Sequence, residues 1–451
     1  MKGLRIQIKP IYIAAVILIV FLMYNLTGLN VLFVAGCSIL IVWCILGSDG
    51  NVFLTLLVLM PNVMMIKHLS STLATVGYAT LIYEWRYILK KTVQNRKLSV
   101  TLETILFCFS VCFTFVFTQS FSYLSSAVRV ISFALFSFLF FSEDKYKRKE
   151  YFDETIYCYS FGVACSVILG IIYWLAKGQN IFVGYFAGIR NDRNFFSATV
   201  SLGIAVSSLY YVTSTNKEYT RKYPIVIVVL IIGGLLSCSR TFMVSLLFSI
   251  AIILKYSMSL QKMKRMSVLI AFLALSVILV SKDERIVQTV QNTILRFSAD
   301  DMSGGNGRFY TWMIYLEDFS SSIWSILFGK GSERAIEPMM SQFMATHNTF
   351  IQGLYCGGIF GILSYILLFF KIFRRMARYG KVKIIELFPI ADLLLCRFFI
   401  ASYMSDAFSF ELLIAVIVAV YRVSGAEENE NYPNQHHLRC RQHRENCCFD
   451  Q

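Results

Sequence analysis

His347, in Ala345-Thr346-His347-Asn348-Thr349-Phe350, is one of two histidines outside the C-terminal tail; the other is His68. An imidazole titrates near working pH, so His347 has the chemistry of a general base. A capping or interfacial histidine is the competing reading. Asn348 beside it can orient the ring. Three short polar stretches carry arginines of interest. Arg190 and Arg193 lie in Gly188-Ile189-Arg190-Asn191-Asp192-Arg193-Asn194, Arg240 in Ser237-Cys238-Ser239-Arg240-Thr241, and Arg308 in Gly304-Gly305-Asn306-Gly307-Arg308. Guanidinium groups suit bidentate binding of phosphate or diphosphate. Structural pairing with Asp192, Asp300, Asp301 or Glu317 would use the same side chains. Three arginine stretches converging on one face favour an anion site.

The elements that must position these residues are apolar. Apolar residues make up 57% of the chain and charged ones 15%, and the mean hydropathy is +0.61. Soluble domains are nearer about 45–50% and about 25%. This much apolar surface has to face lipid. A span needs about 20 mostly apolar residues. The pattern predicts an all-α, polytopic transmembrane bundle of about 12–14 spans with a large, partly helical periplasmic loop. The spans fall near 11–28, 30–47, 51–66, 72–89, 99–118, 124–141, 155–176, 195–213, 223–238, 240–256, 265–281, 347–370, 383–401 and 407–422. Met1-Lys2-Gly3-Leu4-Arg5 and Lys9 precede an apolar run too long for a cleaved signal peptide, so it reads as the first span.

Charge supports this arrangement. The net charge is +15. The basic residues cluster in alternate loops, at Arg86, Lys90, Lys91, Arg96 and Lys97, at Lys145 to Lys149, and at Lys371 to Lys383. That is the signature of cytoplasmic loops holding orientation, not of nucleic-acid binding. Both termini are then cytoplasmic. His68, His347 and the three arginine stretches fall on the opposite face, where basic residues oppose the topology signal and so need another reason. Arg129, Glu386, Asp392, Arg397 and Glu411 lie within spans, are costly in lipid, and should face the protein interior, where they form helix–helix ion pairs or line a groove, with a structural role expected for most. Nine of the twelve cysteines sit in apolar runs and imply no disulfide framework. Cys440, Cys447 and Cys448 share the tail with three histidines, a weak signal for metal. The expected organisation is N-terminal spans 1–176, central spans with a first outer loop 177–281, a large outer loop 282–346, C-terminal spans 347–422 and a polar tail 423–451. Phe309, Tyr310, Trp312, Met313, Tyr315 and Leu316 predict an amphipathic helix within the large loop.

From Ser239 to about Gly361 the chain resembles the O-antigen polymerase and ligase family of bacterial membrane glycosyltransferases. The resemblance rests on Ser239-Arg240-Thr241, on Gly307-Arg308 with Trp312, and on Leu327-Phe328-Gly329-Lys330-Gly331. It continues through Thr346-His347-Asn348-Thr349-Phe350-Ile351-Gln352 and Gly357-Gly358-Ile359-Phe360-Gly361. Upstream, Arg190-Asn191-Asp192-Arg193-Asn194-Phe195 resembles the family's Asn-x-Asn element, with Arg193 replacing a small residue or proline. The resemblance implies glycan transfer from an undecaprenyl-diphosphate carrier to an acceptor hydroxyl at the outer face of the bacterial inner membrane. It implies His347, Arg308 and Arg240 as catalytic groups. Arg190, Arg193, Asn194, Asn348, Trp312, Gly329 and Gly331 become substrate-binding. No metal or other cofactor is implied. The partners would be the lipid-linked oligosaccharide and the bilayer, with a chain-length regulator and a flippase as further candidates. A polymerase is the leading expectation. A ligase acting on lipid A core is the second reading, and a lipid-linked oligosaccharide flippase the third.

Overall fold

The computed structural model describes residues 9–68, 75–95, 100–143, 149–182, 185–189, 192–213, 221–256, 308–339, 344–376 and 387–418, with four isolated positions between 267 and 291. Among these residues the regular structure is entirely helical. The helices are α1 (Pro10–Thr27), α2 (Asn30–Leu46), α3 (Asp49–Leu59), α4 (Thr75–Asn95), α5 (Leu102–Thr118), α6 (Phe121–Phe140) and α7 (Lys149–Ala176). They continue as α8 (Arg193–Thr213), α9 (Tyr223–Leu236), α10 (Arg240–Tyr256), α11 (Arg308–Ser320), α12 (Ile323–Phe328), α13 (Thr349–Met376) and α14 (Phe388–Arg397). Residues 406–418 form α15. The helix starts and stops follow local chemistry. Pro10 opens α1, where its missing N–H costs nothing. Gly28 closes α1 in the left-handed region. The hydroxyls of Thr101 and Ser120 cap α5 and α6.

Among the described residues, four helices are long and apolar enough to cross a membrane: Pro10–Thr27, Phe121–Phe140, Glu150–Ala176 and Thr349–Arg374. Four shorter apolar helices accompany them: Asn30–Leu46, Leu102–Thr118, Tyr223–Leu236 and Arg240–Ile250. Val31, Leu46, Val116, Phe121 and Leu247 are exposed on the outside of the bundle, as lipid-facing residues would be. The longer list of spans read from hydropathy needs correction in places. The run 51–66 is not one helix. At 11 residues α3 is only about 16 Å long, and it passes into a 3-10 turn at Met60–Asn62 around Pro61. The run 383–401 supplies only the ten-residue α14 among the described residues. Hydropathy cannot see that an apolar run is broken. The expected span 265–281 lies outside the described residues. In the large loop, α11 is the expected amphipathic helix: Phe309, Tyr310 and Met313 are exposed while Thr311 and Tyr315 are buried.

At the centre of the bundle, α8 packs against α7, α9, α10 and α14. Small residues let these backbones approach. Ser207 donates to Ser160 of α7 at 2.9 Å. Gly162 of α7 lies against α3 so closely that a Cβ would sit 2.5 Å from the Val58 carbonyl oxygen. Asn62, in the 3-10 turn that follows α3, donates back to Gly162 O at 3.0 Å.

Three of the five interior charges expected from the sequence, Arg129, Arg397 and Glu411, are in ion pairs. Arg129 of α6 meets Asp406 of α15 at 2.9 Å. Arg397 and Glu411, both fully buried, form an ion pair. Thr199 of α8 donates to the free oxygen side of Glu411 at 2.8 Å, and the Arg397 guanidinium lies 5.4 Å over the Phe408 ring. Asp392 accepts from Ser245. Glu386 lies outside the described residues. Removing one member of such a pair strands the other charge. Arg397→Ala should therefore cost about 3–5 kcal/mol, whereas the double apolar change Arg397→Met with Glu411→Leu should cost much less. Thermal unfolding of the detergent-solubilised protein measures both.

Candidate functional site

Four helices begin at one end of the bundle with a basic residue at or beside the first turn. Arg193 opens α8, Arg240 opens α10 and Arg308 opens α11; His347 stands two residues before α13. The segment 396–402 gathers them. Phe195 and Ala198 of α8 pack on Cys396 and Ile400. Thr349, first residue of α13, donates to Ile400 O and pairs with the Ser402 hydroxyl at 2.9 Å. Trp312 of α11 lies edge-on to Phe398 at 5.6 Å. Ser197 of α8 donates to Ser239, immediately before Arg240, at 2.9 Å.

The charges feel one another directly. Partial burial and the Arg240 guanidinium hold the Arg308 pKa below the usual arginine value, with Arg193 adding to the effect and Asp192 opposing it. Partial burial and Arg308 hold His347 below the usual histidine value, opposed by Asp192 and Glu333. His347 is thus biased toward the neutral imidazole that a general base requires, while Arg308 stays a cation because arginine titrates far above working pH. A helix N-terminus carries about half a positive charge. Four N-termini and four basic side chains meet here, with Asp192 and Glu333 as the acids in reach. Asp192 also caps α8, accepting from the amides of Asn194 at 2.8 Å and Phe195 at 3.4 Å. Helix N-termini and guanidinium groups in such an arrangement attract anions.

His347 is held by its neighbours. Its φ is +47°, in the left-handed region that few residues adopt. On one side Thr346 is fixed: its amide and hydroxyl donate to Glu333 Oε1 at 2.9 and 2.8 Å. On the other, Asn348 Oδ1 accepts from Phe350 and Ile351 at 2.9 and 3.0 Å, capping α13. Gln352 completes the clamp by donating to Glu333 Oε2 at 2.9 Å. Glu333 escaped the sequence reading; its only signal was an acidic residue in a polar loop.

The remaining predicted residues divide. Asn194 lies in the first turn of α8 beside Arg193. Arg193 itself leans on Tyr185, its guanidinium 5.1 Å from the ring centre. Arg190 lies outside the described residues. Trp312 uses its indole to hold the His347 segment, donating to Thr346 O at 2.6 Å. Gly329 and Gly331 are filled from within the protein. Both have positive φ. A Cβ on Gly329 would lie 2.5 Å from the Cys356 carbonyl, and one on Gly331 would lie 2.4 Å from the Thr118 hydroxyl. The amides of Lys330 and Gly331 donate to the carbonyls of Tyr355 and Cys356 at 2.7 and 2.9 Å. These glycines therefore join the loop to α13 and α5. Gly358, at φ +68° inside α13, receives the loop from the other side, where a Cβ would meet Leu327 O at 2.3 Å.

No protein-family model, curated protein or solved structure matches this chain. Among the described residues no three His, Cys, Asp or Glu side chains gather as metal ligands; the tail cysteines and histidines lie outside those residues.

The electrostatics can be tested without any substrate. Diethylpyrocarbonate modifies only neutral imidazole, so His347 should react with a midpoint below the usual histidine value of about 6.5. Arg308→Ala removes a positive neighbour, which stabilises the imidazolium, so the midpoint should move to higher pH. Peptide mass spectrometry across a pH series reads both midpoints.

Proposed function

We propose that this chain is a membrane glycosyltransferase that polymerises undecaprenyl-diphosphate-linked oligosaccharide repeat units into a surface polysaccharide, at the outer face of the bacterial inner membrane. The observation that carries this reading is the meeting of Arg193, Arg240, Arg308 and His347 at four helix N-termini. A diphosphate is the anion such a cluster suits best, because fixed guanidinium groups and N-terminal dipoles stabilise charge without reorganising. The motif order from Ser239 to Gly361 supports the same substrate. So does an apolar cavity of about 420 Å³ that starts at Thr349 and Phe350 and continues along α13 to Phe373. Its walls include Ile366, Phe369, Leu394 and Leu412. The helix turns at Gly358, and from Ile362 to Phe373 it advances roughly 17 Å along the cavity, an apolar wall suited to a lipid tail attached to a charged head.

The transfer is a substitution at the anomeric carbon. The acceptor oxygen bonds to that carbon while the bond to the diphosphate oxygen breaks. His347 takes the hydroxyl proton and returns it to water. Arg308 and Arg240 take up the charge that grows on the departing lipid diphosphate. Glu333 and Trp312 hold His347 in place, and Asn348 keeps the α13 N-terminus formed behind it.

Two measurements test the proposal. In reconstituted protein, His347→Ala should slow transfer by about 10²–10⁴-fold, and Arg308→Ala by about 10²–10³-fold. Full activity in either variant removes that residue's role. The reaction itself is read from the surface polysaccharide of a strain lacking the gene. Core bearing a single repeat unit is the expected outcome. Bare core with polymer held on the carrier would make the chain a ligase, and lipid-linked units trapped on the cytoplasmic side would make it a flippase.

A further inference from the structure

Between α4, α6 and α15 the bundle encloses a small polar site. Glu84 of α4 is 2% exposed. It makes no hydrogen bond or ion pair with any described residue. It lines a cavity of about 10 Å³ together with Thr80, Arg129, Asp406 and Ser409, room for a single water at most. Asp406 reaches deep into the α4 surface: a Cβ on Gly77 would lie 2.4 Å from its Oδ2. Arg129 spends its Nη1 on Asp406 at 2.9 Å.

Two carboxylates and one guanidinium line the cavity, and Arg129 is paired with Asp406, which leaves Glu84 as an uncompensated negative charge in an apolar bundle if both acids ionise. Such a charge is expensive, and a pair of close carboxylates does not keep both charges. The hydrogen-bond inventory points the same way. Thr80 already donates to Val76 O at 2.8 Å, and Ser409 to Ser405 O at 3.2 Å. Both hydroxyls therefore offer the cavity only lone pairs. Glu84 and Asp406 add further acceptors, and the donors are those of Arg129: its Nη1 binds Asp406, its Nη2 binds Ser126 at 3.4 Å, its Nε is buried without a partner among the described residues, and none of them bonds to Glu84. The charged groups on the adjoining elements are spoken for. Asp49 of α3 is held by Arg86 and Lys90, and Glu143 beyond α6 by Lys91.

We infer that Glu84 and Asp406 share one bound proton, forming with Arg129 a proton-binding site inside the bundle. A metal cation fits less well, because the cavity is too small for an ion with several ligands and Arg129 repels it. The site touches the anion cluster through the chain. Asp406 is the first residue of α15, four positions after Ser402, whose hydroxyl meets Thr349 at the start of α13. Between them the Tyr403 amide donates to Gln352 at 2.7 Å, and Gln352 in turn binds Glu333. Loss of the proton would load the 402–406 segment with repulsion between Glu84 and Asp406 and loosen the support of His347. The proton site rests on its own geometry and not on the transfer reaction proposed above.

Dicyclohexylcarbodiimide provides the test, because it adds to a protonated carboxyl group and then rearranges in place to a stable N-acylurea. Purified full-length protein in detergent is treated at neutral pH, in alkaline buffer, and in acid, where every carboxyl is protonated. The expected result is a labelled Glu84 or Asp406 peptide at neutral pH that is lost in alkali, lost in Glu84→Gln, and unaffected by sodium chloride. A chain labelled there in acid but not at neutral pH overturns the inference. Protection by sodium chloride overturns it in favour of a sodium site. If acid also gives no label, the infrared spectrum decides: a protonated-carboxyl carbonyl band at neutral pH that disappears in Glu84→Gln sustains the site, and its absence removes it.

Discussion

Four positive helix ends, each beginning at or beside a basic side chain, repel one another, and much of the bundle can be understood as holding them together. The clamps are short and polar. Ser197 binds Ser239, Thr349 binds Ser402, Trp312 binds Thr346, and Glu333 grips both Thr346 and Gln352. None of these bonds neutralises the cluster. Neutral donors and acceptors fix the geometry while Asp192 and Glu333 offset only part of the charge. A site arranged this way has low affinity for cations and a standing attraction for an oxyanion, which is the electrostatic profile that a diphosphate leaving group requires.

The same logic runs through the interior. Arg129 with Asp406 and Asp392 with Ser245 join elements far apart in the chain, and Arg397 with Glu411 joins the consecutive helices α14 and α15. Such contacts add little net stability compared with apolar packing, yet they reject any arrangement that leaves a charge alone. They tie α14 and α15 to α8, α10 and α6. The segment 396–402 between α14 and α15 is thereby placed under the four helix starts.

The sequence carried part of this and not the rest. Helix starts were legible because Asp192, Ser239 and Asn348 are polar residues ahead of apolar runs, and each one opens a helix. Arg240, Arg308 and His347 were legible because basic residues stood where topology disfavours them. The pairing of Arg129 with Asp406 was not, since nothing local in either stretch names a partner so far along the chain. Glu84 was hidden as well, because it precedes Trp85 and Arg86 at what reads as the polar end of a span. Pro61 was visible, but a hydropathy window averages across it and so lengthened α3. The Gly329 and Gly358 motifs were seen separately. That they meet, backbone on backbone, depends on close packing that no periodicity encodes.

That glycine joint has a consequence for assembly in time. The ribosome makes residues 308–331 before α13 exists, yet Lys330 and Gly331 take their acceptors from Tyr355 and Cys356 within α13. Until α13 enters the bilayer, the loop has no backbone partner and must wait in water with its amides solvated. The exposed Phe309, Tyr310 and Met313 give α11 a surface on which to rest at the membrane interface meanwhile. The anion cluster therefore cannot form step by step as the chain emerges. Arg308 and His347 come into register only when α13 arrives.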